Sequence, residues 1–182
     1  MTKGGHNMGL IVGNLFSLFG MVADGVSSSR KTARGMLLVQ CLGQLLYSVS
    51  AIALKGYSAA VQNVVSILRN LLASSKFRSK TVEWCMVVLA VILGLLFNNL
   101  GLIGVLPIVA NLEYTLAVFR FRDNERSLKI AFLICVLLYT VFNVIILNIV
   151  GAASNVVVAV MTISALIKMA KSKPDSDHET LQ

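Results

Sequence analysis

Charge is sparse in this chain, and acid sparser still: among 182 residues there are sixteen Lys and Arg but only eight Asp and Glu. Soluble domains carry about a quarter charged residues, whereas the share here is 13%, with 57% hydrophobic residues and a mean hydropathy of +0.81. A water-soluble core cannot absorb that apolar excess. Only two prolines occur, Pro107 and Pro174, and no long polar block, which excludes a disordered chain or a second, soluble domain. The three cysteines, Cys41, Cys85 and Cys135, lie far apart in apolar runs without a CxxC or a neighbouring histidine, so neither zinc ligation nor a disulfide framework is signalled. The two histidines, His6 and His178, sit near the ends of the chain, and no GxSxG, HExxH or P-loop pattern occurs. The expectation is a protein that is not an enzyme and holds no metal or cofactor.

What remains is a series of apolar runs separated by short basic clusters. A bilayer core takes about 20 apolar residues per helix, and on that ruler seven spans emerge: Met8 to Ala23, Gly35 to Leu54, Tyr57 to Ser74, Thr81 to Phe97, Leu100 to Phe119, Leu128 to Ile149 and Gly151 to Lys168. Lys55-Gly56, Asn98-Asn99 and Val150-Gly151 suit tight hairpins between them. The tail, 171–182, mixes acid and base around Pro174 and reads as a flexible cytoplasmic end. The formal charge of +8 does not point to nucleic acid, because no aromatic platform or groove-reading helix accompanies the basic clusters. With seven spans, thirteen Lys and Arg fall on one side of the membrane and two on the other. The positive-inside rule then places the amino terminus outside and the carboxyl terminus in the cytoplasm.

The first and last thirds repeat. Gly9-Leu10-Ile11 recurs as Gly101-Leu102-Ile103, and Leu45-Leu46-Tyr47-Ser48-Val49 recurs as Leu137-Leu138-Tyr139-Thr140-Val141, both at an offset of 92 residues. The offset then becomes 95, matching Gly56, Val61, Val65 and Leu71 to Gly151, Val156, Val160 and Leu166. This predicts an all-α membrane domain in a 3+1+3 parallel repeat: a three-helix unit over 8–74, a linker helix over 81–97 and a second unit over 100–168.

The third span, Gly56-Tyr57-Ser58-Ala59-Ala60 through Ser66-Ile67-Leu68-Arg69-Asn70, and the fifth, Gly101-Leu102-Ile103 through Leu106-Pro107-Ile108-Val109-Ala110, resemble the YgjV-like family of bacterial inner-membrane proteins. Length and helix count fit over nearly the whole chain. That family is similar to the group containing SWEET and SemiSWEET sugar carriers and PQ-loop proteins. The resemblance implies two triple-helix bundles facing each other, with any transport path along their interface. No Pro-Gln dipeptide occurs here, so the PQ-loop signature is missing and a sugar substrate does not follow.

Ionisable groups in a bilayer cost roughly 2.5 to 3.5 kcal/mol each on insertion scales and are the first place to seek a mechanism. Arg69 and Glu113 lie roughly 18 to 20 Å along their helices from the outer end, on a rise of 1.5 Å per residue. Equal depth permits an ion pair that closes an inner gate; the alternatives are a static pair or separate groups snorkelling toward the cytoplasmic interface. Asn14, Asn63, Asn111 and Asn143 lie near mid-span and are candidates for a substrate path or for helix-to-helix hydrogen bonds. Pro107 is a hinge candidate, Gly9, Gly13 and Ser17 form a small-residue stripe for close packing, and Asp24 reads as an interfacial charge near Arg30. The expected partners are the bilayer and a small polar solute, with room for a homo-oligomer. The functional expectation is a secondary carrier or facilitator of a small polar metabolite, the alternative a non-transporting receptor or accessory subunit.

Overall fold

A computed structural model describes residues 3–53, 57–75, 79–98, 101–121, 123–145 and 149–171. These residues form seven helices: α1 (Lys3–Ser28), α2 (Ala33–Ala53), α3 (Tyr57–Ser74), α4 (Lys80–Leu96), α5 (Val105–Arg120), α6 (Glu125–Ile145) and α7 (Ile149–Lys171). Four are long and apolar enough to cross a membrane: Ile11–Ser28 of α1, Ala33–Ala53, Glu125–Ile145 and Val150–Lys171 of α7. The other three fall short for different reasons. Helices α4 and α5 have only 17 and 16 residues, and the hydropathy of α3 is lowered by the polar side chains it turns inward.

Each helix packs on its chain neighbour within α1–α2–α3 and within α5–α6–α7, α4 lies against α3 and α5, and the ends meet through α1 with α7 and α3 with α5. The α1–α2 seam is close because small residues line it. Ser50 Oγ donates to the Gly13 carbonyl at 2.7 Å and pairs with Ser17 Oγ at 2.7 Å, so the small-residue stripe of α1 faces α2. One core joins Met36 and Leu37 of α2, Tyr114 and Val118 of α5, Leu128 and Phe132 of α6 and Val158 of α7. Most of the remaining apolar side chains face outward, as a lipid solvent allows.

The basic ends come together at one end of the bundle. Arg120 Nε reaches Glu83 Oε1 at 3.3 Å across α5 and α4, and Lys129 donates to Glu125 Oε1 at 2.6 Å while touching Met169 of α7. Lys76, Arg78, Arg122, the tail 172–182 and the expected hairpin Lys55-Gly56 lie outside the described residues.

Several boundaries differ from the sequence reading. Helix α1 runs on from Ala23 to Ser28, because Ser27 and Ser28 are buried and bonded to Met36 O and Thr162 Oγ1 rather than solvated. Val150 and Gly151 lie inside α7, not in a hairpin. Residues 101–104, expected in the fifth span, form a turn in which Gly101 takes φ 59° and its carbonyl accepts from Asn98 Nδ2 at 2.9 Å. That backbone conformation favours glycine. Pro107 consequently falls in the first turn of α5, where an amide has no helical partner to lose. It starts the helix, and the physical reason for expecting a hinge is absent.

Candidate functional site

The inward face of α3 carries Gln62, Ser66, Arg69 and Asn70, spaced by four, three and one residues so that they share one stripe. Helix α5 meets it with Asn111 and Thr115, one turn apart, and with Tyr114. Arg69 is 2% exposed. Its Nη1 donates to Asn111 Oδ1 at 2.9 Å and to Thr115 Oγ1 at 3.2 Å, its Nε donates to Asn70 Oδ1 at 3.0 Å, and its guanidinium lies 4.7 Å from the centre of the Tyr114 ring. Hydrogen bonds to a charged group contribute about 1.5 to 3 kcal/mol each and a desolvated cation–π contact about 2. Together they offset a burial cost of several kcal/mol for the cation.

Arginine is a donor only, and that orients every amide around it. Asn111 must turn Oδ1 toward Arg69, where Ser66 Oγ also donates at 3.0 Å, so its Nδ2 points away and donates to Gln62 Oε1 at 2.6 Å. Gln62 Nε2 then donates to the Ala90 carbonyl of α4 at 3.0 Å. On the other side Asn70 Nδ2 points to Gln40 Oε1 of α2 at 3.4 Å, which also accepts from the Tyr114 hydroxyl at 2.8 Å. One polar chain therefore crosses α4, α3, α5 and α2.

At the end away from the basic clusters, Gln62 opens into a cavity of about 60 Å³ between α3, α4, α5 and α6. Asn63, Asn98 and Tyr139 supply its other polar groups, Pro107 and Phe142 part of its apolar wall, and among the described residues no charged side chain lines it. Below it lies the apolar core that joins the two triplets.

The sequence candidates divide accordingly. Asn63 and Pro107 line the cavity, and Asn111 lies one bond behind it through Gln62. Asn14, on α1, and Asn143, on α6, are half-buried and do not line it. The expected pairing of Arg69 with Glu113 is not formed: among the described residues Arg69 binds amides and a hydroxyl, and Glu113 Oε2 is buried without a partner. Gln62, Tyr114 and Thr115 were not singled out, although the stripe 62, 66, 69 and 70 and the pair 111 and 115 carry helical periodicity. No group of three or more His, Cys, Asp or Glu able to hold a metal ion occurs among the described residues.

The family model for Imp-YgjV, described as a bacterial inner membrane protein, matches residues 11–173. The chain belongs to that family. Its match runs from the first membrane helix to just past α7, so the cavity and the Arg69 chain lie wholly within the family's extent. No curated protein and no solved structure matches the chain.

Proposed function

We propose that this Imp-YgjV protein is a secondary carrier or facilitator for a small, uncharged polar solute in the bacterial inner membrane. The observation that carries the reading is the cavity: amide and phenol side chains line it, no charged side chain among the described residues does, and the Arg69 chain fixes the orientation of Gln62 at its floor. Its volume of about 60 Å³ is well below the roughly 300 to 1,000 Å³ of pockets for drug-sized ligands. A metabolite would therefore enter only as the triplets part, and no bond in it is made or broken.

In this reading all seven helices span, α3 and α5 turning their polar faces to each other and away from lipid, with the amino terminus outside and the basic end in the cytoplasm. A parallel 3+1+3 repeat like that of SWEET carriers is supported by the helix bounds. Offsetting by 92 residues carries Ala33–Ala53 onto Glu125–Ile145, the end of α1 onto the end of α5 and the start of α3 onto the start of α7. The packing agrees, since exchanging α1, α2 and α3 with α5, α6 and α7 turns the α1–α7 contact into the α5–α3 contact. Gly9 to Ile11 and Gly101 to Ile103 are the exception, one triplet being helical and the other a turn.

The dry core beneath the cavity is the closed inner gate of such a carrier. It equally suits the second reading, a receptor or accessory subunit that binds a solute without moving it. A thermal-shift screen of the detergent-purified protein against sugars, nucleosides, vitamins and amino acids, followed by uptake into proteoliposomes, separates them. A ligand at 100 times its Kd stabilises by about 2.7 kcal/mol. Binding that is lost in Asn63→Ala and accompanied by uptake is the expected result; binding without uptake would sink the carrier reading.

A further inference from the structure

The polar chain ends at α2 with an unused donor. Because Gln40 Oε1 already accepts from Asn70 and Tyr114, its Nε2 points away from them, and among the described residues it has no partner although Gln40 is 1% exposed. Gln40, Gly43 and Tyr47 share one face of α2, three and four residues apart, and that face meets Gly20 and Asp24 of α1. Asp24 is 6% exposed, and a Cβ placed on Gly43 would lie 2.7 Å from its Oδ1. Among the described residues Oδ1 has no hydrogen-bond partner, and neither has the Tyr47 hydroxyl, whose ring lies against Gly20. An amide donor, a carboxyl oxygen and a hydroxyl, all buried and none with a partner among the described residues, thus occupy one seam.

We propose that Asp24, flanked by Gln40 and Tyr47, is a reversible proton-binding site. The groups around it decide the ligand. A metal cation wants several oxygen donors, whereas Gln40 presents its amide N–H, which suits a carboxylate oxygen and repels a cation. No ion pair reaches Asp24 among the described residues, and Arg30, its neighbour in sequence, is exposed. Among the described residues, Tyr47 is the titratable group of α2 on the face that meets it; from α7, Met161 packs on Gly25 and Thr162 bonds Ser28, neither of them titratable. Burying a lone carboxylate is costly, and one proton removes the charge: hydronium protonates the carboxylate and leaves water, and the reverse step returns the proton. In the carrier reading this site holds a coupling proton, and only that coupling rests on the carrier reading.

Infrared difference spectra of the whole protein in lipid nanodiscs, taken between acidic and alkaline pH with no solute present, test the site itself. The expected result is a component of the carboxylic C=O band that appears on acidification in the wild type and in Glu113→Gln and is lost in Asp24→Asn, the bands of the other carboxyl groups remaining. A difference spectrum that Asp24→Asn leaves unchanged overturns the proposal, whether the carboxyl is always protonated or never. If Asp24→Asn does not fold, Asp24→Glu serves instead, because the glutamic C=O band is displaced from the aspartic one; an undisplaced band overturns the proposal. Since no solute is used, a failed uptake assay leaves the proton site standing, and a failed infrared test leaves the carrier reading standing.

Discussion

The α3–α5 seam buries an arginine, Arg69, and the α1–α2 seam an aspartate, Asp24, and they treat them in opposite ways. Around Arg69 every amide is turned to match a donor-only cation, and the chain closes on a carbonyl of α4. Around Asp24 three polar atoms are left without partners. A satisfied buried network rigidifies and specifies a packing, while an unsatisfied one asks for a ligand or a proton. Arg69 is therefore the strut of the site, and Asp24 the group with something left to bind.

The comparison is broken most severely at Asn111, which joins Arg69, Ser66 and Gln62. Asn111→Leu keeps the branched shape but takes one acceptor from the Arg69 charge, and a hydrogen bond to a charged group contributes about 1.5 to 3 kcal/mol. Unfolding in mixed micelles should show a loss of that size. A loss under about 1 kcal/mol would mean that the network does not hold α3 to α5.

Equal depth along two helices permits an Arg69–Glu113 pair, and depth is legible in the sequence, but azimuth turns the two groups apart. Each residue turns the helix by about 100°, so Glu113 faces about 200° away from Asn111, whereas Thr115, a turn on, stays on the same side. Bounds of α2 and α6 were legible within a few residues because charged and polar residues flank a clean apolar run. The start of α5 was not, since Leu102 and Ile103 continue the hydrophobic pattern through a turn that only the φ of Gly101 betrays. Asp24, read from the sequence as an interfacial charge near Arg30, is buried, because α1 continues past it through the buried Ser27 and Ser28.

Gly94 gives the next largest effect and joins the strut to the cavity. A Cβ there would fall 2.7 Å from Gln62 Nε2 and 2.8 Å from Ile108 Cγ1, so Gly94→Val overpacks a seam at a cost of about 1 to 3 kcal/mol. It should also abolish any solute-induced thermal shift. Retained ligand stabilisation in this variant would move the binding site away from the cavity.

Asp24→Asn should behave unlike Asn111→Leu. It removes a carboxyl that nothing pairs and adds an amide of nearly the same size, so the stability measured in the same micelles should change by less than about 1 kcal/mol in either direction. A loss as large as that of Asn111→Leu would show that Asp24 is a second strut, and the contrast between the seams would fail.

The smallest effect is expected at the basic end, where Arg120 meets Glu83 at 3.3 Å with the arginine side chain 57% exposed and the glutamate 14%. Solvent and salt screen such a pair, and exposed pairs contribute roughly 0.2 to 1 kcal/mol. Glu83→Gln keeps one acceptor oxygen for the guanidinium and should cost under about 0.5 kcal/mol, falling toward zero in high salt. Here the two seams supply the scale: a surface ion pair at the right distance contributes less than a single buried amide, because water already solvates both of its charges. If Glu83→Gln instead cost as much as Gly94→Val, the tie between α4 and α5 would be a structural hinge point rather than a screened surface contact.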